Sequence, residues 1–128
     1  MREIIEVPVL SAAVRKIGVP LSLVTRGAGL VFVSGTPPLD IATGTLVKGD
    51  IEVQTEASLT ALKRCLAAAG TSPGNILMVR IYAANAGFYG AITVNSFLVA
   101  GGAEFHSDLS LRNQPPTSSF LILSWNEL

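Results

Sequence analysis

Ser34 and Gly35 interrupt the chain at a chemically useful point. The apolar run Leu30-Val31-Phe32-Val33 has the length and β-branching of a buried strand, and Ser34-Gly35 ends it just before Thr36-Pro37-Pro38. A hydroxyl and a bare backbone N–H would then lie side by side, an arrangement that suits a small anion such as a carboxylate. The plainer alternative is a strand end that needs Ser-Gly only for its turn. On the residues alone both readings stand.

Other reactive side chains are few. Cys65 is the single cysteine and His106 the single histidine, so neither an internal disulfide nor a Cys/His metal constellation can form. Cys65 falls among small and apolar residues at helical spacing and reads as a buried small hydrophobe. His106 and Asp108 stand two apart, but no nucleophile accompanies them, and an acid–base pair is the weaker reading. Arg26 and Arg80 flank apolar strands and read as surface residues.

A chain of 128 residues fits one domain, residues 1–128, with a core of its own. Hydrophobic residues make up 49% and charged residues 14%, against about 25% charged in ordinary domains. That deficit leaves apolar surface, and self-association is the favoured way to close it, over a chain that is merely sparsely charged. Net charge is zero and no Lys/Arg cluster occurs, which argues against a dedicated nucleic-acid binder. No apolar run is long enough to span a bilayer and no signal-peptide pattern opens the chain, so a soluble, cytoplasmic protein without membrane contact is expected.

The elements that must position Ser34 can be placed in order. Residues 4–9 read as a first strand weakened by Pro8, residues 11–18 as a short helical turn, and residues 21–26 as a second strand. Gly27 and Gly29 mark the turn into the strand ending at Ser34. The groups Thr36-Pro37-Pro38 and Ala42-Thr43-Gly44 are turn chemistry for a hairpin. From Asp50 a helix is expected, with Leu59, Leu62 and Leu66 at its core spacing and Gly70 at its stop. A strand over residues 76–84, a second helix over 88–100 and a last strand over 118–125 complete the series. The order suits an α+β architecture, one sheet with helices on one face. The last strand, with Phe120-Leu121-Ile122-Leu123, is expected to leave an open edge that the 101–116 segment or a neighbouring subunit must cover.

The sequence of strand, Ser34-Gly35, Asp40-Ile41-Ala42-Thr43-Gly44 hairpin and Gln54-Thr55 helix closely resembles the YjgF/RidA family of reactive-intermediate deaminases, formerly the endoribonuclease L-PSP family. The likeness is best from Ile5 to Tyr82, includes Glu6-Val7-Pro8-Val9-Leu10-Ser11, and thins beyond Gly90. It implies a chorismate-mutase-like fold: a single mixed β-sheet with two helices packed on one face, assembled as a homotrimer. It also implies hydrolysis of 2-imino or 2-enamino acids to 2-keto acids and ammonia, with no metal or cofactor and with the small carboxylate metabolite held in clefts between subunits.

Carried residue by residue, the resemblance makes Ser34, Gly35, Asn95, Thr117 and Ser119 the ligand-binding set. Asn95 answers to the family's helix Asn, with Thr93 a competing alignment, and Ser119 to a Cys or Ser after the family's Arg. Thr117 stands where that Arg clamps the carboxylate, and it offers one hydrogen bond and no charge. Arg112 is the candidate substitute, beside its plainer reading as a solvated loop arginine. On this alignment the family's terminal acidic strand has no counterpart before Leu128. Weakened or altered deamination is therefore expected. The alternatives are a non-catalytic metabolite-binding trimer, a C-terminal third altered by truncation or frame shift and, disfavoured by the neutral charge, an RNase or translation inhibitor.

Overall fold

A computed structural model describes residues 1–82 and 122–127. Its frame is a five-stranded sheet of β1 (Glu3–Ile5), β2 (Val24–Gly27), β3 (Leu30–Val33), β4 (Ile76–Tyr82) and β5 (Ile122–Glu127). The spatial order is β1-β2-β3-β5-β4, and each neighbouring pair is antiparallel. A mixed sheet was expected from the resemblance; the described pairings contain no parallel one. β3 and β4 do run the same way, but β5 lies between them and is antiparallel to both.

At residues 125–127 the cover expected of the 101–116 segment or a neighbouring subunit comes instead from β3, while Phe120 and Leu121 of the expected open edge lie outside the described residues. β5 is described from Ile122 to Glu127, two residues past the expected end at 125, and residues 118–121 of the expected strand lie outside the described residues; in it Val33 and Val79 flank Trp125, and Phe32 and Met78 flank Asn126. Over residues 125–127 both margins of β5 thereby find partners inside the sheet, as a buried ladder demands, and residues 122–124 pair with β4.

Among the described residues two α-helices pack on the sheet. α1 (Leu10–Ile17) follows a tight three-residue turn in which the Leu10 N–H donates to the Pro8 carbonyl at 2.9 Å and Val9 takes a φ of 69°. The turn is held from the far side: the Val7 N–H donates to the Ser11 hydroxyl at 2.8 Å and the Ser11 N–H to the Val7 carbonyl at 3.0 Å. α2 (Ile51–Ala68) begins where expected. The Asp50 carboxylate caps it by accepting the Val53 N–H at 2.9 Å, and Gln54 Nε2 reaches back to the Gly49 carbonyl. Its end is a Schellman motif around Gly70, φ 78°, with the Gly70 N–H on the Ala67 carbonyl and the Thr71 N–H on the Leu66 carbonyl. The expected helix over residues 88–100 lies outside the described residues.

The core is one cluster between these layers. α1 supplies Leu10 and Val14; α2 supplies Leu59, Ala61, Leu62, Cys65 and Leu66; the sheet supplies Val24, Val31, Val33 and Ile76. The alternation of β3 is plain, since Val31 and Val33 are buried while Phe32 between them is 40% exposed. Phe32 shares its row with Ile4, 53% exposed, through Thr25, so the face away from the helices is partly apolar and open.

Arg26, expected at the surface, is instead half-buried and engaged. Its guanidinium donates to the Ala69 carbonyl at the end of α2 and meets Glu3 at 3.3 Å. A cation at a helix C-terminus satisfies an orphan carbonyl and complements the helix dipole.

The β2–β3 hairpin turns on two residues, Ala28 and Gly29, both with positive φ (53° and 76°). Two-residue hairpins of this hand favour Asn-Gly, and an L-residue with a Cβ loses roughly 1–2 kcal/mol in the left-handed region. Ala28→Asn is expected to raise the melting temperature in a circular-dichroism melt. An unchanged or lower value would show that Ala28 carries no strain.

Candidate functional site

The Ser34-Gly35 break lies where the β2–β3 ladder runs out. The Ser34 N–H donates to the Leu23 carbonyl at 2.8 Å, which continues the pairing one residue beyond Val33. The Thr36 hydroxyl, fully buried, then donates to the Ser34 carbonyl at 3.1 Å and fixes the turn. Both backbone groups of Ser34 are therefore spent on structure. Its hydroxyl is not: Oγ is buried and has no hydrogen-bond partner among the described residues. Nor does the adjacent Gly35 N–H find one there.

The neighbouring signature residues do structural work. Leu39 pairs with Leu46 across the expected hairpin, with Asp40 N–H on the Thr45 carbonyl at 2.9 Å. The Asp40 carboxylate accepts the Ala42 N–H at 2.8 Å and the Thr43 N–H at 3.0 Å. Those two backbone donors, Ala42 first, hold its carboxyl below the ordinary carboxylate range. The Thr43 and Thr45 hydroxyls bond each other at 2.8 Å. Gly44 has a φ of 73°, and a Cβ there would stand 2.7 Å from the Ala13 Cβ, so only glycine lets the hairpin lie this close to α1. Thr55 turns its hydroxyl onto the Ile51 carbonyl at 2.6 Å.

Among the described residues two buried hydroxyls are left over, and they are not equivalent. Ser58 sits inside α2 with no exposed surface, where a modest rotation offers it the carbonyl one turn back. Ser34 ends a strand beside the Gly35 N–H, and neither group has a partner among the described residues. An unsatisfied buried hydroxyl costs roughly 1–3 kcal/mol, so an acceptor arriving at Ser34 would recover that loss. A carboxylate is such an acceptor.

Burial pushes the Cys65 thiol up to about 12, leaving it protonated and unreactive at neutral pH, as its helical spacing predicted. Among the described residues no group of three His, Cys, Asp or Glu could hold a metal, and no helix is long and apolar enough to cross a membrane. Asn95, Arg112, Thr117 and Ser119, like His106 and Asp108, lie outside the described residues. Sequence reasoning passed over Thr36, whose role as the anchor of the Ser34 carbonyl is signalled only by a Ser-x-Thr spacing too common to single out.

Three kinds of likeness converge on this architecture. The profile of the family described as Endoribonuclease L-PSP matches residues 14–102. RutC family proteins of Pyrococcus horikoshii and Pyrococcus abyssi are 38% and 36% identical over 63 residues; the match spans 49% of this chain and 50% of each relative, so the aligned stretch is about half of their length. Among solved structures, the Rid-family protein YyfA of Yersinia pestis superposes with a TM-score of 0.84 at 23% identity, covering 99% of this chain and 98% of that one. E. coli TdcF does so with 0.79 at 20% identity, covering 98% of both. With the strand–Ser-Gly–hairpin–helix order on a shared fold and more than half the chain inside the family profile, this chain belongs to the endoribonuclease L-PSP, or YjgF/RidA, family.

Proposed function

We propose that this chain binds a small carboxylate at the Ser34-Gly35 strand end and hydrolyses 2-imino or 2-enamino acids to 2-keto acids and ammonia. Membership of the family supports the reaction class, and the buried, unpartnered Ser34 Oγ is the observation that carries the site. The solved TdcF structure holds serine, an amino acid with the same carboxylate handle, and this supports the ligand class.

The chemistry asks little of the protein. Water adds to the imine carbon, a proton moves to nitrogen, and the C–N bond breaks to release ammonia and leave the keto acid. What the site contributes is orientation of the carboxylate and exclusion of bulk solvent, and neither needs a cofactor. Thr117 in place of an arginine lowers the expected rate, because a hydrogen bond to a charged group is worth about 1.5–3 kcal/mol, a factor of ten or more. That same substitution favours the second reading, a trimer that holds small metabolites between subunits without deaminating them.

Self-association is part of the proposal. The uncovered apolar row of Ile4 and Phe32 and the 14% charge both support a homotrimer. Light scattering at micromolar concentration is expected to return three times the chain mass. A monomer mass would remove any cleft between subunits.

Activity is tested with freshly generated 2-iminobutanoate, following ammonia above the buffer rate. The wild-type chain is expected to accelerate hydrolysis, and Ser34→Ala to reduce kcat/KM about tenfold while raising the melting temperature of the unliganded chain, since the unpartnered hydroxyl is gone. Wild-type rates equal to buffer, with 2-oxobutanoate still bound, would leave the non-catalytic trimer as the function.

A further inference from the structure

The Ser34 carbonyl and the Gly35 N–H belong to one peptide unit, and that unit is trans. A trans peptide is planar, with its C=O and N–H pointing in opposite directions, so whatever holds the carbonyl also aims the N–H. The Thr36 hydroxyl holds it, at 3.1 Å.

The sheet does not take this carbonyl. The Ser34 N–H donates to the Leu23 carbonyl at 2.8 Å, and a hydrogen-bonded antiparallel pair normally exchanges both bonds. Among the described residues the return bond, from the Leu23 N–H to the Ser34 carbonyl, is not made. The carbonyl is turned to Thr36 instead. Leu23 therefore fixes the peptide before Ser34 and Thr36 the peptide after it. Between two fixed peptides, the Ser34 Oγ keeps only its rotation about χ1.

Thr36 is itself held still. Pro37 after it confines its backbone to the extended region, and β-branching restricts its χ1. Its side chain has no exposed surface, and Leu39 of the same loop is buried in the core. A hydrogen bond accepted by a carbonyl also polarises its own amide and makes the N–H of that amide a stronger donor. The direction and the strength of the Gly35 N–H thus both trace to one buried hydroxyl.

We propose that Thr36 is a positioning residue: through the Ser34 carbonyl it aims and polarises the Gly35 N–H, which with the Ser34 hydroxyl seats the carboxylate of a small 2-keto or 2-imino acid. The inference rests on the reading of Ser34-Gly35 as an anion site. The full chain is titrated with 2-oxobutanoate as wild type, Thr36→Val, Thr36→Ser and Ser34→Ala. Calorimetry gives the affinity, and NMR follows the Gly35 amide proton. Valine keeps the shape of threonine and loses the hydroxyl. Thr36→Val is expected to bind roughly fivefold more weakly, and its Gly35 amide proton should lie at higher field before ligand is added. Thr36→Ser, which regains the donor, should restore the shift and bring the affinity to within about twofold of wild type. A residue that only stabilised the turn would lower the melting temperature of Thr36→Val and leave both readouts where they were.

If Thr36→Val binds as wild type does while Ser34→Ala binds more weakly, the Thr36 assignment is overturned and the Ser34 site stands. Weaker binding in Thr36→Val that Thr36→Ser does not restore belongs to packing, and overturns the assignment too. If neither Thr36→Val nor Ser34→Ala matters, or the wild type binds no 2-oxobutanoate, the anion site falls with it. Weaker binding in Thr36→Val and recovery in Thr36→Ser, from a wild type that releases no ammonia, uphold Thr36 and overturn the deaminase reading alone. Should the valine variant fail to fold, Thr36→Cys, a poorer donor of similar size, takes its place: weaker binding with the amide proton at higher field upholds the assignment, and wild-type values overturn it.

Discussion

Everything in this fold hangs on a gap that the middle of the chain cannot fill. α2 carries the chain from β3 to β4, and the two strands run in the same direction without pairing with each other. Between them stands a space one strand wide, lined on both sides by backbone donors and acceptors. β5, at the C-terminal end, runs antiparallel into it and satisfies both margins at once. Without it the sheet would separate into a three-stranded meander and a lone strand held only through α2. The sheet is thus completed by the most distant piece of sequence, and its closure carries the entropy of a long loop.

Against that long-range closure, the N-terminal half is secured locally. Nearly every polar signature residue that marks the family is used to fix a turn or a helix end. Asp40 holds its own hairpin, Asp50 caps α2, Gln54 and Thr55 bond within a turn of themselves, and Gly44 lets the hairpin touch α1. Arg26 then ties β2 to the far end of α2. Set against this economy, the idle hydroxyl of Ser34 stands out. It is the one buried side-chain group of the strand–hairpin signature without a partner among the described residues, at a point where the Ser34 backbone is held by Leu23 and Thr36.

How much of this was legible follows from the range of each interaction. α2 could be read from Asp50 to Gly70 because its caps and its Leu59, Leu62 and Leu66 spacing lie within one short window. The hairpin from Leu39 to Leu46 could be read because Thr-Gly and Pro-Pro are local turn chemistry. The position of β5 could not. An apolar strand looks the same at an edge as at the centre, and only the pairing distinguishes them. Val9 at positive φ, Ala28 in a turn that favours Asn, and Arg26 on a helix end were likewise hidden, since each is set by neighbours far away in sequence. For the site, Ser34 and Gly35 were legible as a strand break. That the Ser34 N–H is spent while its hydroxyl is not depends on Leu23 and Thr36 in space.

Register decides which residues of β4 can reach the core. A slip of one residue between β4 and β5 would cost little in backbone bonding, because each amide would find another carbonyl. It would, however, carry every side chain of β4 to the opposite face. The bulge at Leu77 is what prevents the slip from being neutral, since it lets Ile76 keep its place in the core while the strand beyond it advances by one. Val79, Arg80 and Ile81 then pair with Trp125, Ser124 and Leu123.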